Sequence, residues 1–159
     1  MINHKAIAVV CVLALTILSP ASALAKAGGS DRPLKGVGSG TISFDPATGA
    51  VSGEETGVSS QIGQYTVHIE GTGAPRGDGF TSSGVATIVA ANGDELSGTY
   101  TLTSDGETHV IEFTVTGGTG RFADASGTLT VICTTVASSQ VGDLVVFEVE
   151  CTLEGRISY

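Results

Sequence analysis

Two cysteines, two histidines, one arginine and a file of acids hold most of the chemical potential of this chain. Cys133 and Cys151 have positions that add to 284, so a hairpin centred on Gly142 sets them directly opposite one another. Gly142-Asp143 supplies a turn at that centre. Both cysteines fall on the apolar phase of their strands, Cys133 with Leu129 and Val131, Cys151 with Val145, Phe147, Val149 and Leu153. An even pair in an oxidising compartment reads as a disulfide, and closing that loop contributes about 3 kcal/mol in the chain-entropy treatment. Two buried free thiols are the alternative. No metal site is expected, because two cysteines without neighbouring histidines supply too few ligands.

His109 shares its phase with Ile111, Phe113 and Val115 beside a turn, which aims it at the mouth of an enclosed core. His68 shares its phase with Thr66 and Glu70, opposite to Tyr65, Val67 and Ile69. A histidine and a carboxylate within reach of each other can move protons, but these two positions read first as a strand-end histidine and a surface histidine. Glu148, Glu150 and Glu154 alternate with the apolar residues of the last strand and read as a solvated face rather than a cation site. No Gly-x-Ser-x-Gly elbow and no histidine-rich metal spacing occurs. Gly118–Ala123 fits a loose dinucleotide pattern, yet a Thr-rich strand follows it where a helix is required. Phe122 stands where a calcium-binding nonapeptide needs an acid. The integrin-type tripeptide Arg76-Gly77-Asp78 lies in a Gly/Pro-rich loop whose composition accounts for it. No cofactor is expected.

The elements that position these residues begin after a leader. Lys5, the apolar run at 6–18, Pro20 and the small-x-small triplet Ala23-Leu24-Ala25 read as a signal peptide over 1–25, cut after Ala25. Cys11 lies inside the apolar run, too early for lipid attachment. Residues 26–159 form one expected domain, bound for a secreted or periplasmic location. Cleavage removes Lys5 and no acid, so the formal charge moves from −9 to −10. Scattered basic residues and an acidic balance exclude nucleic acid and anionic lipid as partners. No later apolar run is long enough to span a membrane.

Beyond the leader no run of ten residues has helical apolar spacing. Thr- and Val-rich strands read at 36–44, 63–71, 79–91, 94–103, 108–116, 127–136 and 144–158, with a further short one at 51–59. Asn92-Gly93 and Asp105-Gly106 both suit type I′ turns. Folding about the first sets Val89 opposite Leu96 and Val85 opposite Tyr100. Folding about the second sets Leu102 opposite His109, Tyr100 opposite Ile111 and Leu96 opposite Val115. Both operations place Leu96 and Tyr100 on one buried face. Ser-Gly-Thr recurs at 39–41, 97–99 and 126–128 as similar strand starts. Sequential antiparallel strands hide their edges best by closure, so the expected fold is all-β, a closed antiparallel eight-stranded barrel, with a β-sandwich as the alternative.

The run Gly117-Gly118-Thr119-Gly120-Arg121-Phe122-Ala123-Asp124-Ala125-Ser126-Gly127 resembles the glycine-rich turn of the allene oxide cyclase and dirigent barrels. Ala90-Ala91-Asn92-Gly93-Asp94 and the ending Gly155-Arg156-Ile157-Ser158-Tyr159 are similar to secreted bacterial members with an allene-oxide-cyclase-like barrel. The resemblance spans residues 34–159. It implies an eight-stranded barrel, homo-oligomers in some members, and apolar substrates in the plant relatives. None of their pocket residues maps onto this chain by motif. Three functions follow as expectations. The first is a non-enzymatic exported module binding a small hydrophobic molecule or a surface partner, with Tyr100, His109, Ile111, Phe113, Arg121 and Phe147 as the candidate ligand-binding residues. The second is an isomerase or cyclase acting in the lumen, with His109 or Arg121 supplying polarity. The third is a structural extracellular protein with a filled core.

Overall fold

The computed structural model describes residues 29–159, so the leader read at 1–25 lies outside the described residues. Eight strands follow one another: β1 (Arg32–Phe44), β2 (Ala50–Ser59), β3 (Gly63–Arg76), β4 (Gly79–Ala90), β5 (Glu95–Ser104), β6 (Thr108–Gly118), β7 (Ser126–Val141) and β8 (Leu144–Ser158). A single 3-10 turn, Gly120–Phe122, interrupts them before β7. Each strand pairs antiparallel with the next, and β8 returns to β1 along the whole of β1, which closes the barrel. No sheet edge is left open, and the sandwich alternative is set aside.

Alternation sorts the side chains into lumen and outer wall. Leu96 and Tyr100 both point inward, with exposures of 0% and 2%. One end of the lumen is plugged by Phe44, Phe80, His109 and Phe147. Phe44 stacks on Phe80 at 4.6 Å between ring centroids, and His109 meets Phe147 edge-on at 4.9 Å. The other end is closed by Leu34, Leu96, Phe122 and Ile157, all fully buried. Phe122 seals the glycine-rich turn against Tyr159, with ring centroids 4.9 Å apart.

The two type I′ turns do not form. Asn92 keeps a negative φ, and only Gly93 is left-handed, at 86°. The Asn92 side chain instead binds Asp94, accepting its backbone N–H at 3.2 Å and donating to its carboxylate at 2.8 Å. Ala91, Asn92 and Gly93 thus make a three-residue loop between Ala90 and Asp94. An odd loop moves the register by one, so Ile88 faces Leu96 and Gly84 faces Tyr100. Ala86 and Ile88 point inward, while Val85 is exposed rather than paired with Tyr100 on the buried face.

At Asp105-Gly106 the Asp105 carboxylate accepts the N–H groups of Glu107 and Thr108, and the Asp105 N–H donates to the Thr108 carbonyl at 3.2 Å, which recentres the turn on Gly106-Glu107. The shift here is two, so Tyr100 faces Phe113 rather than Ile111, and Leu102 faces Ile111 rather than His109. An even shift leaves the inward phase intact. The same shift puts Val115 opposite Gly98, and a bulge at Ser97/Gly98 then sets Gly118 opposite Leu96.

Candidate functional site

Packing inside the barrel leaves an internal cavity of about 50 Å³, bordered by Tyr100, Ile111, Phe113, Ile69 and Glu55 among others. That is room for a water or two, far below the roughly 300–1,000 Å³ of pockets that engulf drug-sized ligands. Three of the six residues expected to bind ligand, Tyr100, Ile111 and Phe113, border this space. His109 and Phe147 belong to the aromatic plug beyond it. Arg121 lies outside the lumen at the opposite end. Its guanidinium donates to the Ile62 carbonyl at 3.0 Å, sits 3.7 Å from the Asp94 carboxylate and covers the Phe122 ring at 4.5 Å. It fastens the glycine-rich turn.

A carboxylate also borders the cavity, that of Glu55. It accepts the Tyr65 hydroxyl at 2.8 Å. Room for the pair comes from Gly38 and Gly57, where an added Cβ would run into the Tyr65 hydroxyl. Among the described residues no ion pair to Glu55 is formed. Burial raises its pKa above the ordinary 4.5, against the lowering effect of the Tyr65 hydrogen bond. Burial also pushes the Tyr65 phenol upward, assisted by the Glu55 charge and their hydrogen bond.

His109 is completely buried. Thr135 Oγ1 donates to the Gly106 carbonyl at 3.0 Å, so His109 Nε2 carries the hydrogen shared with Thr135 at 2.9 Å. Nδ1 is then a bare acceptor, buried without a partner. Burial lowers the His109 pKa below 6.5, and the Asp105 charge opposes that shift.

The two groups act on stability with opposite signs. The folded chain releases the His109 proton at a lower pH than the unfolded chain, so this contribution is complete above 6.5 and fades as pH falls toward the folded value. The folded chain holds the Glu55 proton to higher pH, so stability is greatest below 4.5 and declines as pH rises through the folded value. Urea midpoints measured from pH 4 to 8 should show both limbs. Glu55→Gln is expected to flatten the decline above pH 4.5 and to stabilise the protein at pH 7, whereas His109→Leu should abolish the rise toward pH 6.5. A profile unaltered by either replacement would contradict the burial of these groups as ionisable side chains.

Cys133 and Cys151 face one another and form a disulfide, S–S 2.03 Å, inside the lumen. A ligand atom of Glu55 lies within 4.8 Å of both sulfurs. The sulfurs are joined to each other and offer no thiolate, so this grouping is not a metal centre.

The outer wall is the larger feature. Val110 pairs with Ile132, Ile132 with Thr152, Thr152 with Val37, and Val37 with Val58. These residues form one transverse row across β6, β7, β8, β1 and β2, on the solvent side. Exposure runs from 38% at Val110 to 56% at Val37. Two open surface grooves, of about 1360 Å³ and 420 Å³, share Val37, Val58, Ile132 and Thr152 as lining. His68 lines the larger groove.

No family model matches the chain, and neither a curated protein nor a solved structure matches it.

Proposed function

We propose that the chain is an exported, non-enzymatic binding module that docks an amphipathic segment of a protein partner on its outer wall. The observation that carries this reading is the division of apolar surface. The lumen is filled to about 50 Å³, while an unbroken cross-strand row holds four aliphatic side chains in solvent. Large exposed apolar patches on soluble proteins mark interaction sites. The leader sequence and the disulfide support export. The closed eight-stranded barrel and the Phe122-sealed turn support kinship with allene-oxide-cyclase-like barrels. A cyclase reaction on a lipid-sized substrate draws no support from a cavity this small.

The double replacement Val37→Thr with Val58→Thr keeps side-chain shape and touches no core residue. Binding of a neutral amphipathic helical peptide of leucine and glutamine, followed by calorimetry, is expected to weaken at least tenfold. The urea midpoint should hold steady, as exposed substitutions usually leave it. Undiminished binding by the double variant would overturn the outer-wall reading.

A further inference from the structure

We propose that the segment docked on this wall is cationic as well as amphipathic: aliphatic side chains sit on the Val37–Val58 row while flanking lysines or arginines meet carboxylates on both sides of it. This rests on the outer-wall reading and specifies the partner.

The register carries the inference. On a β-wall, residues two positions away along each strand form the next outward row. On one side of the aliphatic row, Glu112 pairs with Thr130, Thr130 with Glu154, and Glu154 with Lys35. On the other side Thr134 pairs with Glu150, and Glu150 with Ser39. One row further, Thr41 joins Glu148 to Glu54. All five carboxylates are exposed; the basic residues beside them are Lys35 in the first flanking row and Arg156 one row beyond it, the latter ion-paired with Asp31. A strip of apolar surface is therefore bracketed by negative charge above and below.

That arrangement selects among occupants. A second copy facing the same strip would bring carboxylate rows against carboxylate rows, and like charges across an interface are unfavourable. An anionic lipid surface is repelled for the same reason. A basic amphipathic segment satisfies both features together, since its apolar face covers the row and its charges reach the flanks. Four of the eight strand spacings separate β6 from β2, so Val110 lies round the barrel from Val58, and a docked segment covers the stretch of Ile132, Thr152, Val37 and Val58 that the two grooves share. Single exposed ion pairs contribute little, so the effect comes from several acids acting on one partner and is sensitive to salt.

The test compares three 14-residue helical peptides sharing one leucine face, with lysine, glutamine or glutamate on the other, against the disulfide-bonded chain. The lysine peptide is expected to bind at least tenfold tighter than the glutamine peptide at 20 mM salt, and the advantage should vanish at 1 M. Glu112→Gln with Glu150→Gln and Glu154→Gln should erase the lysine preference and leave glutamine-peptide binding intact. Equal binding of lysine and glutamine peptides, both still sensitive to Val37→Thr with Val58→Thr, would overturn the cationic partner and leave the outer-wall reading standing. Lysine-peptide binding indifferent to the valine replacements would reduce the effect to bulk charge attraction and overturn both. A dimer in sedimentation velocity that dissolves on the valine replacements would make the occupant a second copy, and the inference would fail.

Discussion

Replacing both Cys133 and Cys151 by alanine should cost the fold about 3 kcal/mol, a fall in thermal midpoint on the order of 10 °C. The bridge spans 18 positions and ties the two longest strands at directly paired residues. Its position matters as much as the loop it closes. Between the bridge and the hairpin tip the β7–β8 ladder slips at Thr135/Ala137, and residues 137–143 are exposed. Without the covalent link, that long hairpin would rely on its ladder and on the Val145 and Phe147 side chains. The two sulfur atoms also fill lumen space, so alanine leaves a void there. Circular dichroism melts of the oxidised, reduced and double-alanine chains check this. A drop of less than about 2 °C would mean that the ladder alone fixes the hairpin.

Phe122→Ala should be comparably severe, on the order of 3–5 kcal/mol for a fully buried phenyl. Phe122 ends the 3-10 turn that crosses one mouth of the barrel, and it is wholly excluded from solvent. Tyr159 meets its ring edge-on, and Arg121 lies over the ring while holding the Ile62 carbonyl. Losing the ring would expose Leu96 and Ile157 and release the contact between the turn and the chain end. Phe122→Leu should recover most of the loss, since volume and not aromaticity sets the seal. Urea midpoints of both variants provide the measurement. A loss below about 1 kcal/mol for the alanine variant would show that the mouth is closed by its aliphatic residues alone.

How far the amino-acid order foretells this barrel depends on which constraint is local. The β8 alternation of Val145, Phe147, Val149, Cys151 and Leu153 with Glu148, Glu150 and Glu154 needs only pleat geometry, and it appears unchanged. The Cys133–Cys151 pairing emerges from a sum of 284, although the hairpin closes by a two-residue Gly142-Asp143 loop whose sum is 285. The irregularity at Val136 absorbs the difference. The turns about Asn92 and Asp105 went differently because both side chains hydrogen-bond the following backbone, and propensity for a two-residue turn does not register that competition. Closure of β1 on β8 is beyond local signals, being a pairing of the two ends.

Glu55 and the outer row were legible in one respect. Adjacent residues on a strand face opposite sides, so Glu54-Glu55 must send one carboxylate inward. Likewise Val110-Ile111 and Val131-Ile132 must leave one aliphatic side chain on each face. What the strand pattern cannot supply is the transverse alignment, because Val110, Ile132, Val37 and Val58 become neighbours only through four separate registers. The same holds for His109. Its inward phase is visible, but its burial among Phe44, Phe80 and Phe147 needs the closed wall.

The most direct test is a map of amide chemical-shift changes in the isotopically labelled chain as the leucine–lysine peptide is added. Changes concentrated at Val37, Val58, Ile132 and Thr152 would place the partner on the outside of the barrel. Changes concentrated at Tyr100, Ile111 and Phe113, with the outer row silent, would put the ligand in the lumen and contradict the assignment.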